Sequence, residues 1–459
     1  MIKATLKEVA AMVGGELNDN KYEHVEIAGV SIDSRAVEAG NLYIPIIGAR
    51  SNGHTYIDSA ITSGATATFW QRGQEETPPK VAPLADVPII FVTDTQRALQ
   101  DLGVAYKEKL GFKVVGITGS NGKTSTKDIL ASMLAEKFRV HKTPGNLNSE
   151  FGMPLTLLMA PTDTEIAVLE MGMRGLGQIA LLSNLAKPDA CMITNIGEAH
   201  IEELGSRENI SIAKMEIVSG LKRDGFFTYD GDEPLLTSKI PNLDPSFELA
   251  TFGEGEGNKY RALDVKIDGS SMIFNIPQSD VTFKLPALGF HNVMNTLASI
   301  AVARHFGVDD EAMAKGLTKL EMSSMRMDVS KSKLGATIID DSYNSSPTAV
   351  RKVLDLVYAL TGYQKKIVVL GDMLELGEHE VKYHEEIGAT IDPEQIDTLM
   401  TYGILAKHIA TASKVKNVQI FDDKAELIRS LEAMAGEGNV ILIKGSRGMQ
   451  LDEVVKALS

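Results

Sequence analysis

The stretch Val114-Val115-Gly116-Ile117-Thr118-Gly119-Ser120-Asn121-Gly122-Lys123-Thr124-Ser125 decides the fold. An apolar strand at 114–117 runs into a glycine-rich turn, and Lys123-Thr124 opens a helical pattern carrying Ile129, Leu130, Met133 and Leu134. Glycines let successive main-chain N–H groups face inward, and a helix start adds partial positive charge, so the turn suits a phosphate. Lys123 would reach β- and γ-phosphates, and the Thr124 hydroxyl would ligate Mg²⁺. The eight-residue form of this motif starts with glycine, where this chain has Ile117. The surviving core is Thr118-Gly-x-x-Gly-Lys-Thr124.

Outward from that turn, strands and helices alternate. Residues 166–169 read as strand, 179–185 as helix, 190–195 as strand and 212–221 as helix, which predicts a mostly parallel sheet with helices on both faces. Residues 261–285 change to period two (Val265, Ile267; Met272, Phe274, Ile276) and predict antiparallel strands appended to that sheet. Upstream, a helix at 96–110 leads into the turn. Before it, Leu6, Val9, Ala10 and Val13 form a short helical pattern stopped by Gly14-Gly15. Strands at 25–30, 42–47 and 89–92, a helix at 57–63 and a surface loop at 74–88 complete that block. From Glu321 onward, strands at 337–340, 367–370, 398–401, 418–421 and 440–443 alternate with helices of about ten residues. The fold class is α/β in three domains: an N-terminal α/β domain (1–97), a central P-loop-type domain (98–320) and a C-terminal Rossmann-like α/β domain (321–459).

The 459 residues carry 46 Lys+Arg and 61 Asp+Glu, a net charge of −15. Such a surface does not suit nucleic acid or anionic membrane, though a local nest of amides still holds a small phosphate. Cys191 is the single cysteine, which excludes an intrachain disulfide and fits a reducing compartment. No apolar run of about 18 residues occurs, and the first residues lack a leader's apolar core. A soluble, cytoplasmic, monomeric protein without stable membrane insertion is expected.

Phosphoryl chemistry needs charge neutralisation beside the cradle. Glu170 and His200 stand just past the carboxyl ends of two predicted strands, where open α/β sheets hold ligands. Glu378-His379-Glu380 and His384-Glu385-Glu386 lack the His-Glu-x-x-His spacing and read as a solvated acidic face.

These stretches resemble a known family, the ATP-dependent Mur ligases, whose fold relatives include folylpolyglutamate synthetase. The matching segments are Thr118–Thr124, Thr143-Pro-Gly-Asn146-Leu-Asn148, Leu169-Glu170-Met-Gly, Thr194-Asn-Ile-Gly-Glu-Ala-His200, Ala213-Lys214-Met-Glu216, His291-Asn292-Val-Met-Asn295, Arg326 and Asp340-Asp341-Ser-Tyr343-Asn344. Asp33-Ser34-Arg35, Gly40-Asn41-Leu-Tyr43 and Asn52-Gly53-His54 resemble the family's UDP-binding domain, with Asn52 where Asp is frequent. Gly371-Asp372-Met-Leu-Glu375-Leu-Gly377 and Lys444-Gly445-Ser446-Arg447-Gly448 resemble the branch adding D-alanyl-D-alanine. The Asp-Asn-Pro-Arg motif of the diaminopimelate-adding branch is absent.

The resemblance implies ATP-dependent addition of D-alanyl-D-alanine to UDP-N-acetylmuramoyl-tripeptide through an acyl phosphate. The alternatives are a ligase of the same family adding lysine or diaminopimelate, a folylpolyglutamate synthetase-like enzyme, or, outside the ligases, a P-loop NTPase switch. By resemblance, Thr118, Gly119, Ser120, Asn121, Gly122, Lys123, Thr124, Ser125, Asn295, Arg326 and Asp341 bind ATP. Two Mg²⁺ ions engage Thr124, Glu170, His200 and a carbamylated Lys214, so Lys123, His200 and Lys214 are the catalytic candidates. Ser31, Asp33, Ser34, Arg35, Asn41, Asn146, Asn148 and Ser149 fall to the UDP-substrate. Tyr343, Asn344, Lys444 and Ser446 fall to the dipeptide.

Overall fold

The structure is a computed structural model that describes residues 1–49, 51–73 and 87–459. The chain forms two compact units. The first comprises Met1–Gly116, Phe138–Gly172 and Ala180–Asp189; the second comprises Ile117–Lys137, Met173–Ile179 and Ala190–Ser459. Most of the expected loop at 74–88 lies outside the described residues.

In the first unit, helix Leu6–Val13 starts on a capping box, Thr5 with Glu8, and stops at left-handed Gly14. A five-stranded sheet follows in the order Glu16–Leu17, Ile89–Val92, Ala67–Gln71, Leu42–Tyr43, Val30–Ser31, parallel except for its first pair. The single strand expected at 25–30 is two. Glu26–Ala28 pairs antiparallel with Lys3–Thr5, and Val30–Ser31 joins the other sheet. Gly29 turns the chain between them at φ +96, with a Cβ barred by Met1 Sδ at 2.5 Å. Helix Thr95–Leu110 and the parallel pair Val140–Lys142 and Ile166–Glu170 complete this unit.

In the second unit, helix Lys123–Leu134 follows strand Lys113–Thr118, whose last two residues belong here. Strands Ala190–Ile193, Phe226–Asp230 and Glu248–Phe252 pair in parallel. The helix expected at 212–221 begins earlier: Ser206 caps it, it runs Arg207–Met215, and a 3-10 turn continues to Gly220. The period-two segment forms a sheet of its own, Leu263–Asp268, Ser271–Asn275 and Phe283–Leu285, all antiparallel.

The C-terminal sheet has six strands in the order Asp328–Lys331, Thr337–Asp341, Asn439–Lys444, Lys365–Gly371, Thr398–Tyr402, Val418–Phe421. The first pair is antiparallel and the rest are parallel. The last strand in sequence lies in the middle of the sheet, so the ends Asp341, Lys444 and Gly371 become neighbours at a topological switch point. Ile338, Ile367, Val369, Met400, Ile441 and Ile443 are fully buried beneath it. Ile441→Ala should cost about 2–5 kcal/mol through the cavity it leaves, read as a lowered apparent melting temperature.

Candidate active site

The glycine turn is held by the strand end beside it. Ser120 N donates to Asn195 O at 3.1 Å and Asn121 N to Asn195 Oδ1 at 3.1 Å. Thr194 Oγ1 and Asn195 Nδ2 both donate to Asn121 O, at 2.5 and 2.9 Å, and Gly197 N donates to Ser120 Oγ at 2.9 Å. A Cβ on Gly119 would lie 1.8 Å from Thr194 Oγ1, and one on Gly122 2.7 Å from Asn295 Oδ1. Both glycines are therefore required by close approach. Within the clamp the amides of Ser120 and Asn121 donate to Asn195, so an anion would be met at the helix start. There Gly122, at the N-cap with φ +81, offers no side-chain cap that would occupy the first amides. Lys123 Nζ bends back to donate to Gly119 O at 2.8 Å. Thr118 and Ser125 are buried beside the turn.

From the far side of the second unit, Arg326 reaches this helix. Its Nη2 lies 3.3 Å from Thr124 Oγ1, and its guanidinium stacks 3.9 Å from the Tyr343 ring centre. Lys444, 2% exposed, donates to Asp341 Oδ2 at 2.5 Å and to Asn344 O at 2.8 Å. Ser446 Oγ accepts from Leu374 N at 2.9 Å, tying two loops at the switch point. A cavity of about 540 Å³ gathers Asn121, Gly122, Ser125, Asn295, Arg326, Asp341, Asn344 and Lys444. Val265, Ile267 and Met272 of the antiparallel sheet and Leu356 and Ala359 of helix Pro347–Ala359 give it apolar walls suited to a flat ring.

Seven ionisable groups of this cavity went unassigned in the sequence: Asp230, Asp232, Glu254, Lys266, His291, Lys352 and Asp355. Burial holds His291 at about 4, with Asp341 opposing and Lys352 and Lys444 assisting, so it is neutral. Burial pushes Asp230 up to about 6, opposed by the Asp232 amide and assisted by the Asp232 charge. His291 lay in a quoted motif; Asp230 gave no signal beyond ending an unrecognised strand.

Lys214 ends helix Arg207–Met215 and is 1% exposed. Burial, and then the Lys123 cation, hold its pKa well below the usual lysine value. His200 stands in left-handed backbone, φ 65. Its Nδ1 lies 3.0 Å from Glu375 Oε2, a contact that holds the Glu375 carboxyl below the usual range. His384 corrects the expected solvated face: it is fully buried, its Nε2 accepting from Met373 N at 2.9 Å, because it braces the 371–377 loop. His379, by contrast, is exposed.

In the first unit, Asn148 Nδ2 donates to Glu170 Oε1 at 2.8 Å, and Thr143 Oγ1 accepts from Glu170 N at 2.9 Å. Asn146 lies one turn away, its carbonyl accepting from Asn148 N, and Ser149 Oγ accepts from Gly152 N at the start of helix Gly152–Met159. Ser31 ends strand Val30–Ser31, and Asp33, Ser34 and Arg35 follow it. Arg35 donates to both Asp33 oxygens, which with the Arg35 amide holds that carboxyl at about 2. Asn41 is buried with its amide bound to Ala28 O and Glu38 N, so it shapes the loop.

A glycine cradle, a stacked arginine from a second sheet and a cavity of nucleotide size define an enzyme that uses a nucleoside triphosphate. The chain belongs to the Mur ligase family. Residues 26–107 match the Mur ligase family catalytic domain, 117–303 the Mur ligase middle domain, and 325–447 the Mur ligase glutamate ligase domain. It is 46% identical to the UDP-N-acetylmuramoyl-tripeptide--D-alanyl-D-alanine ligase of Bacillus subtilis, over all of this chain and 99% of that protein. A crystal structure of MurF from Acinetobacter baumannii superposes with TM-score 0.89 at 27% identity, covering 100% of this chain and 99% of that one. MurF from Thermotoga maritima in complex with ADP gives TM-score 0.81 at 31% identity, over 94% and 96%.

Two tests follow from the geometry. Gly119→Ala should abolish nucleotide binding measured by calorimetry, since its Cβ would displace Thr194. Asp230 has its pKa raised from 3.8 to about 6, so its ionisation costs stability as pH rises between those values, with the cost fully present above about 6. Asp230→Asn should therefore raise stability by about 1–3 kcal/mol at pH 7.5 and by much less at pH 4, read from thermal unfolding at both pH values.

Proposed function

We propose that the chain joins D-alanyl-D-alanine to the terminal carboxylate of UDP-N-acetylmuramoyl-tripeptide, consuming ATP and yielding the pentapeptide precursor of peptidoglycan. The observation that carries this reading is the cavity built on the phosphate turn, set in a chain 46% identical over its full length to a ligase of that name. The carboxylate attacks the γ-phosphorus and ADP leaves. The dipeptide amine then attacks the acyl carbon, phosphate leaves and the nitrogen loses a proton.

The chain's own residues supply binding and charge. Lys123 and the helix start neutralise the phosphates, Arg326 adds a second cation from the C-terminal sheet, and Asn295 and the apolar walls take the base. Asp341 serves the ribose while Lys444 keeps it oriented. Thr124, Glu170, His200 and Lys214 are the candidates for two Mg²⁺ ions. No group of three His, Cys, Asp or Glu assembles by itself among the described residues. Bound there, Mg²⁺ would offset the charge of the transferring phosphoryl group.

Lys214 fits a carbamate. The neutral amine is the form that adds carbon dioxide, and burial beside Lys123 favours that form. The product replaces a cation with an anionic oxygen donor beside a lysine. Ser31, Asp33, Ser34, Arg35 and Asn41 would shape the uridine and diphosphate site, and Asn146, Asn148 and Ser149 the muramoyl part. Tyr343, Asn344, Lys444 and Ser446, at the switch point, would face the dipeptide. Domains at 1–97, 98–320 and 321–459 divide these tasks. We place the enzyme in the cytoplasm as a monomer; among the described residues no helix is long and apolar enough to cross a membrane.

Phosphate release with UDP-muramoyl-tripeptide should require D-alanyl-D-alanine, and lysine, diaminopimelate or glutamate should not replace it. Lys123→Ala should lower turnover at least a thousandfold. Wild-type activity should fall in carbonate-free buffer and return with bicarbonate, whereas Lys214→Ala should be inactive in both.

A further inference from the structure

Helix Pro347–Ala359 begins with a sequence built to cap itself. Ser346 occupies the N-cap with extended backbone (φ −146, ψ 159), followed by Pro347 and Thr348. A serine there ordinarily accepts from an N–H two or three residues on. Ser346 makes no such bond to its own helix. Its Oγ instead accepts from Asn121 Nδ2 in the phosphate turn, at 3.2 Å. The amide it leaves, Thr348 N, donates to Glu198 Oε2 at 3.1 Å, and Thr348 Oγ1 donates to Glu198 Oε1 at 2.9 Å. Both oxygens of one buried carboxylate, 150 positions away in sequence, replace the helix's own cap.

We propose that Glu198 is a positioning residue acting through a cap exchange. With Glu198 in place, the helix keeps a capped and charge-complemented start, and Ser346 is released to hold Asn121. With Glu198 withdrawn, Ser346 turns back to Thr348 N. Neither arrangement leaves a bare helix end, so the helix and the phosphate turn can engage and separate with the helix start capped throughout. The same carboxylate ties to helix Pro347–Ala359 a point two residues before His200, whose backbone is left-handed. The exchange itself stands on the hydrogen bonds alone; its effect on turnover rests on the ligase reading above.

The test is amide hydrogen exchange at Thr348 together with steady-state kinetics of the full chain. Glu198→Ala should leave Thr348 protected within about threefold, because Ser346 recaps it, whereas Glu198→Ala with Ser346→Ala should lose protection at least tenfold. Glu198→Ala should also lower kcat about tenfold with the KM for UDP-substrate moved less than twofold, and Glu198→Gln, which keeps one acceptor oxygen, should recover most of that loss. Full loss of protection in Glu198→Ala alone would overturn the exchange. Unchanged kcat in that variant would overturn the positioning role. Were the chain to ligate none of the acceptors tried, the exchange data would still decide the first question.

Discussion

The constraint on which the site depends is the grip of Thr194 and Asn195 on the glycine turn. Two side-chain donors converge on one carbonyl, Asn121 O, and two amides of the turn donate back to Asn195. This network leaves no volume for a Cβ at Gly119, and Asn295 leaves almost none at Gly122. It occupies the amides of Ser120 and Asn121 and fixes the start of helix Lys123–Leu134, where the dipole and the first amides favour an anion.

Charge is organised around it by burial more than by pairing. Lys444, itself almost fully buried, donates to Asp341 and to Asn344 O beside the cavity. Lys214, buried near Lys123, is pushed towards its neutral amine; His291 is held neutral and Asp230 half-protonated near pH 6. Groups displaced in this way are expected where reacting charge must be met by a dry, preset environment. A net charge of −15 over the chain does not conflict with anion binding, because the field at the site is set within a few ångströms by Lys123, Arg326 and the helix start.

Much of this was legible in the sequence wherever the signal was local. Strand-to-helix alternation found the five parallel strands of the C-terminal sheet, and the glycine-lysine-threonine run located the cradle. Failures came where a local signal had two outcomes. Residues 25–30 read as one strand, but Gly29 sends its halves to different sheets. His384 sits among acidic residues in sequence and yet is the buried brace of a loop. Phe226–Asp230 and Glu248–Phe252 passed unnoticed, and Asp230 with them.

By itself the sequence determined which segments become strands and helices, where the chain must turn at glycine and which turn can hold a phosphate. Each of these follows from residue propensities and periodicities within a dozen positions. Only the tertiary structure decided the partners: Lys444 for Asp341, Arg326 for Thr124, Glu198 for Thr348. Those pairs depend on strand order, since placing Asn439–Lys444 between Thr337–Asp341 and Lys365–Gly371 brings together ends about a hundred residues apart. No local pattern encodes that proximity, because it arises from the burial of sheet faces far from the residues that meet.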